Sequence, residues 1–275
     1  MNNDAGMNVI VNSQTAMGYM VTSSYSNKIV QNLSALYQIM HNDTIYNYCI
    51  HNANSKSVIM NDVTGSAKAI AKTLGLNVDG YTDLLTMLNN NTALSKISAD
   101  TSALDILCSY HYTLQLIFKY VYTSGQHRWS DYPIFFGILS NTLIKVMYNH
   151  ASICEDYLRQ MVQNYTNVDP SILTTAFSHK GKISASSVGT SNSCGTYTYD
   201  KPGLYLYSTY QGYNGGTNKN TVELHNCITG SSTSTIDISA NRHTSICRFA
   251  SKISIKLKYD SQGFNTDLVM IDIDL

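Results

Sequence analysis

The residues best placed to do chemistry are the tyrosines of "YTYDKPGLYLYSTYQGY", which runs from Tyr197 to Tyr213. In a strand, Tyr205 and Tyr207 fall on one face, while Tyr210 and Tyr213 are expected to enter the following loop. Flat rings with hydroxyl tips stack on sugars or anchor a protein surface, so these four are the candidate receptor-binding residues. Packing of the same rings over an outer sheet or between subunits is the competing reading. A second cluster holds His225, Cys227, His243 and Cys247, four soft ligands that could converge on a metal. Their spacing matches no standard site and ordinary packing suits them, so no metal is expected, and whether the four form a site stays open. Glu155 and Asp156 are adjacent on a helix and point two ways, which is wrong for paired acid and base work. His111, Cys108 and Cys154 read as core or cap residues. The Gly-rich "QGYNGGTNKN" lacks the Lys-Ser/Thr pair of a phosphate cradle, and no G-x-S-x-G, H-E-x-x-H or G-x-G-x-x-G occurs. Catalytic residues and cofactors are therefore expected to be none, and the chain is not read as an enzyme.

Composition narrows the partners. Lys+Arg and Asp+Glu stand at 18 each, and only 13% of the 275 residues are charged. With no basic stripe to neutralise phosphates, no nucleic-acid partner is expected. The surface must be covered by Ser, Thr, Asn, Gln and Tyr, and 21 Tyr against 1 Trp is an uncommon ratio. That suits a particle component or a binder of neutral sugars. Six Cys without a C-x-x-C pair read as reduced core residues. The opening "MNNDAGMNVIVNS" has neither a basic n-region nor a long apolar run, so no ordinary secretory signal and no membrane insertion are expected.

The elements that would carry these residues are organised on a ten-residue beat. Tyr19-Met20, Ile29-Val30, Ile39-Met40, Cys49-Ile50 and Ile59-Met60 close successive decads, and Ser24, Ser34, Thr44, Asn54 and Thr64 recur at their fronts. The beat weakens around Gly75 to Asp83, resumes from Thr92, and continues to residue 162. Spacings of i, i+3 and i+4 indicate helices, and the Ser or Thr at the front is where an N-cap would be expected. A continuous rod on this beat would need about 3.3 residues per turn, well below the relaxed 3.6. Two-turn helices alternating with capped turns fit better, and they must bury their doublets against neighbours or other chains. A helical repeat or bundle, an irregular helical domain and a β-solenoid are the readings weighed, the first preferred.

Past a connector at 163–193 the period changes to two. "GTYTY", "GLYLYSTY", "TVELHNCI", "STIDIS", "SICRFA", "KISIKLKY" and a final strand with Val269, Ile271, Ile273 and Leu275 make about seven short strands. The expected fold class is α+β multidomain: a mainly α-helical repeat or bundle region at 1–162, the linker, and an all-β antiparallel sandwich, jelly-roll-like, at 194–275.

Decads such as Ser13-Gln14-Thr15-Ala16-Met17 with Met20, and the starts Thr92-Ala93-Leu94 and Ser102-Ala103-Leu104, resemble the degenerate ten-residue repeats of fibre and appendage proteins of tailed bacteriophages. The C-terminal half, with Gly195-Thr196-Tyr197-Thr198-Tyr199 and then Pro202-Gly203-Leu204-Tyr205, is similar to the β-sandwich heads that end such fibres. The resemblance is one of architecture and repeat style. It implies a homotrimeric virion structural protein, a head fibre, tail fibre or capsid decoration subunit, anchored by its N-terminal region and displaying its C-terminal part for host attachment. The implied partners are other virion proteins of capsid or tail and a host surface glycan or protein. The implied place is the particle surface after assembly in the host cytoplasm. A polysaccharide-degrading fibre enzyme and a bacterial adhesin-like binding module are the alternatives.

Overall fold

The computed structural model describes residues 6, 9–10, 12–21, 32–122, 131–163, 183–184, 196–199, 202–210, 220–229, 233–238, 244–256 and 265–272. The chain forms two compact units, Met1–Ile117 and Phe118–Leu275.

In the first unit the sequence beat becomes a series of short helices: α1 (Gln14–Val21), α2 (Leu33–His41), α3 (Asp43–His51), α4 (Ala53–Met60), α5 (Val63–Thr73), α6 (Leu84–Leu88), α7 (Asn91–Ala99), α8 (Thr101–Cys108) and α9 (His111–Ile117). The reason is visible at the junctions. Asn32, Asn42, Asn52 and Asp62 stand ten residues apart, and each side chain accepts the backbone N–H three residues on, at 3.0, 3.1, 3.0 and 2.7 Å. Asp83, Asn90 and Asp100 do the same for Thr86, Ala93 and Ala103. A side-chain acceptor here satisfies one of the N–H groups that a helix start leaves without a partner.

Asn42, Asn52 and Asp100 each do two jobs. Each is the last cap of one helix and the first cap of the next, in an extended conformation (φ −115, ψ 107 at Asn42). A single extended residue thus resets the helix phase every ten residues, and no overwound rod is needed. Relative to each of these shared or ten-spaced caps, the residues three and seven places on are buried, and those four and eight places on are buried in most. Ala35, Leu36, Ile39 and Met40 in α2 are at most 1% exposed, and Ile45 and Cys49 in α3 and Ile59 and Met60 in α4 are equally buried.

The expected caps need correcting. Ser34, Thr44, Asn54 and Thr64 lie two residues past the caps, inside the first turn, and the caps at these four fronts are Asn and Asp, whereas Ser13 and Ser140 do accept the Ala16 and Leu143 N–H groups as expected of Ser. Ser24 lies outside the described residues. The doublets, expected to be buried against neighbours or other chains, find cover in their own chain at two places. In α2 to α4 the Ile39-Met40 and Ile59-Met60 pairs, with Cys49, are covered within one chain.

Two local devices close α5. Gly65 sits where an added Cβ would meet the Ile59 carbonyl oxygen at 2.7 Å, so the turn between α4 and α5 needs a residue without one. At the far end Gly75 takes φ +64, with Leu76 N–H donating to Ala71 O and Gly75 N–H to Lys72 O. That pattern is the Schellman closure of a helix.

Among the described residues the second unit holds α10 (Pro133–Ile138), α11 (Asn141–Asn149) and α12 (Ala151–Gln163), followed by the strands β1 (Ile183–Ser184), β2 (Thr196–Tyr199), β3 (Gly203–Tyr210), β4 (Asn220–His225), β5 (Thr233–Ile238), β6 (Thr244–Ala250), β7 (Lys252–Lys256) and β8 (Asn265–Asp272). Their backbones pair antiparallel in the orders β1-β8-β3-β6 and β2-β7-β4-β5.

The expected fold class does not stand. Where side chains are placed, the chain is 71% helical and 6% strand. Nor is the strand-bearing unit all-β: α10 to α12 belong to it, and α12 packs on β6. An all-β antiparallel, jelly-roll-like sandwich standing as a domain of its own is thus replaced by a unit of helices and strands together. The physical reason is that β6 ends its sheet and leaves backbone groups at an open edge, which a helix can cover. Most of the expected connector, 163–193, lies outside the described residues.

Candidate functional site

Of the four candidate tyrosines, Tyr205 is not a surface residue. Tyr205 is 0% exposed and among the largest fully buried side chains, so its ring belongs to the core and is closed to a sugar or receptor. Its backbone lies in β3 opposite Arg248 of β6 and Met270 of β8, an inner position in the sheet. Tyr207 pairs with Ile246 and Leu268 in the same strand. Tyr210 is the last residue of β3, opposite Asn265, rather than part of a loop. Tyr213 lies outside the described residues, as does most of the Gly-rich stretch that carries it.

Of the four soft ligands, His225 ends β4 half-buried, and the Cys227 thiol lies 3.6 Å from the Leu224 carbonyl oxygen. Cys247 is described as backbone in β6, and His243 is outside the described residues. Among the described residues no group of three or more His, Cys, Asp or Glu side chains is gathered to hold a metal. Cys108 and Cys154 are buried thiols, and Thr113, two residues past His111, is buried with its hydroxyl donating to the Leu107 carbonyl at 2.6 Å.

Charge is gathered elsewhere. In the first unit the Lys72 ammonium donates to the Met40 carbonyl at 2.8 Å and to the Asp43 carboxylate at 2.7 Å, and lies 5.1 Å from the centre of the Tyr46 ring. The Lys72 hydrogen bond, then its charge, holds the Asp43 carboxyl below its ordinary value. Lys68 donates to the Val78 carbonyl at 2.8 Å and stands 3.6 Å from Asp79, which also faces His41 at 3.2 Å. These side chains close helix ends and tie the 78–80 turn to its neighbours. Their acceptors are the carbonyls that helix termini leave open, so the cluster is accounted for by folding.

No known family model matches the chain, and no curated protein sequence matches it. Function must therefore be argued from its own residues.

Two carboxylates, Asp131 and Glu155, are buried among the described residues of the second unit, and the second of them is more specific. Glu155 on α12 is 2% exposed. One of its oxygens accepts the Phe249 backbone N–H at 2.8 Å, and the other accepts the Thr229 hydroxyl. Phe249 also receives the Ile228 N–H on its carbonyl at 3.3 Å, and its ring meets Tyr148 of α11 edge-on at 5.7 Å. The sequence reading set Glu155 beside Asp156 and dismissed the pair as catalytic. That dismissal holds no information about what Glu155 does, because its partners are 74 and 94 residues away. Asp156, pointing elsewhere, pairs with Arg159. With one carboxylate and two protein donors, the arrangement fastens a helix to a strand.

Proposed function

We propose that the chain is a structural component of a bacteriophage particle, a head fibre, tail fibre or decoration subunit, built as a homotrimer with its helical repeat as the assembly region and its strand-bearing unit turned toward host or neighbouring subunits. The observation that supports this reading is the repeat itself. Asn32, Asn42, Asn52 and Asp62 set a ten-residue module in which the third and seventh residues past the cap are buried each time. Such a module lends itself to a repetitive support rather than a catalytic cleft, and the low charge and many hydroxyl and amide side chains suit a particle surface. The described helices include none long and apolar enough to cross a membrane.

The deciding experiment is mass spectrometry of purified particles. The chain is expected at a stoichiometry of three per site, and its absence from intact particles overturns the reading. Incubating the protein with host capsule or cell wall separates the enzymatic alternative, which predicts released reducing ends where a structural subunit releases none.

A further inference from the structure

Among the described residues strand β6 is the last strand of its sheet, so on one side its backbone groups have no described strand neighbour. At Phe249 both outward groups are nonetheless occupied, the N–H by Glu155 of α12 and the carbonyl by Ile228 N–H. Glu155 is thus a stand-in for the missing strand at this point. A carboxyl group can do this in two protonation states. Ionised, it accepts from Phe249 and from Thr229; protonated, it still accepts from Phe249 and can donate to the Thr229 oxygen, whose hydroxyl rotates to suit.

We propose that Glu155 is an acid-tightened latch, holding helix α12 on the edge of strand β6 more firmly when the medium is mildly acidic than when it is alkaline. The geometry requires a carboxyl group removed from water and held by one backbone and one hydroxyl donor. Among the described residues the charges that act on it are Arg248 on β6 and Arg159 on its own helix, and Arg159 is engaged by Asp156. Burial pushes the Glu155 carboxyl up from its ordinary value of 4.5; the Thr229 and Phe249 donors and the two arginines pull it down by less. The folded chain therefore binds this proton more tightly than the unfolded chain does. The stability contributed by the group is fully present below 4.5 and is lost as pH rises through the raised value.

Hydrogen exchange on the full-length protein, resolved by peptide and corrected for the intrinsic pH dependence of exchange, tests this directly. Protection of 151–163 and 244–250 is expected to fall from pH 5 to pH 8, while α7 serves as an internal control that does not follow. In Glu155→Gln the amide oxygen still accepts from Phe249, and the fall is expected to vanish. An equal fall in Glu155→Gln, or none in the unchanged protein, overturns the proposal. Should Glu155→Gln fail to fold, Thr229→Val keeps the carboxyl and removes a donor to its ionised form, so the fall should steepen; an unaltered slope overturns the latch as well.

Discussion

Tyr205 shows how far a residue's type can mislead about its role. A tyrosine in a cluster of tyrosines invites a surface reading, yet its ring is 0% exposed and its strand has neighbours on both sides. The sequence carries the alternation that puts Tyr205 and Tyr207 on one face, but alternation does not say which face is covered; that depends on β6, β8 and the helices that arrive from elsewhere in the chain. Tyr205→Ala should therefore cost about 3–5 kcal/mol of stability, the usual range for emptying a large buried aromatic site. Thermal melting checks it. A variant that melts like the parent but loses glycan binding would restore the surface reading. Gly65 is the complementary case, a small residue whose absence of a side chain is the requirement. Gly65→Ala drives a methyl to within 2.7 Å of a backbone oxygen that cannot swing away, and a loss of about 1–3 kcal/mol is expected by the same measurement.

At the scale of elements, the ten-residue beat was the most legible feature, and the position of its cap the least. Apolar doublets are visible in sequence because helices bury them, and Ile39-Met40 and Ile59-Met60 are core residues as their spacing implies. The cap is harder to place, because Asn42 and Thr44 are both good caps by composition. Only the backbone decides between them: an extended residue at 42 closes α2 and opens α3, leaving Thr44 in the first turn. The two residues are thus separable by mutation. Asn42→Ala should destabilise by about 1 kcal/mol, and Thr44→Ala should stay within about 0.5 kcal/mol of the parent. Urea unfolding of both variants reads the difference, and equal losses would return the cap to Thr44. The strands, too, were legible by their period of two. What period could not reveal was the attachment of α12 to β6, since it rests on one carboxylate and a backbone amide 94 residues apart.

For the whole molecule, the trimer rests on different ground than the sequence suggested. The doublets Ile39-Met40 and Ile59-Met60 do not call for a partner subunit, because they are covered within one chain. Nor does the last strand need foreign support, since β8 lies between β1 and β3 and pairs with both. Removing the chain from Asp267 onward takes out an inner strand, so aggregation of that truncation is expected whether the protein is a monomer or a trimer, and it cannot discriminate. What remains outside the core is a set of large apolar side chains on the helical unit: Tyr19 at 76% exposed, Leu33 at 74%, and Tyr48 at 51%. Scattered singly such residues are ordinary, whereas a shared interface would withdraw them together. Light scattering on the full chain is expected to give about three times 30.5 kDa, with Leu33→Lys and Tyr48→Lys together lowering the mass toward that of one chain while the helical signal persists. A folded chain that scatters as a monomer at micromolar concentration removes the trimer, and with it the fibre forms of the particle-component reading.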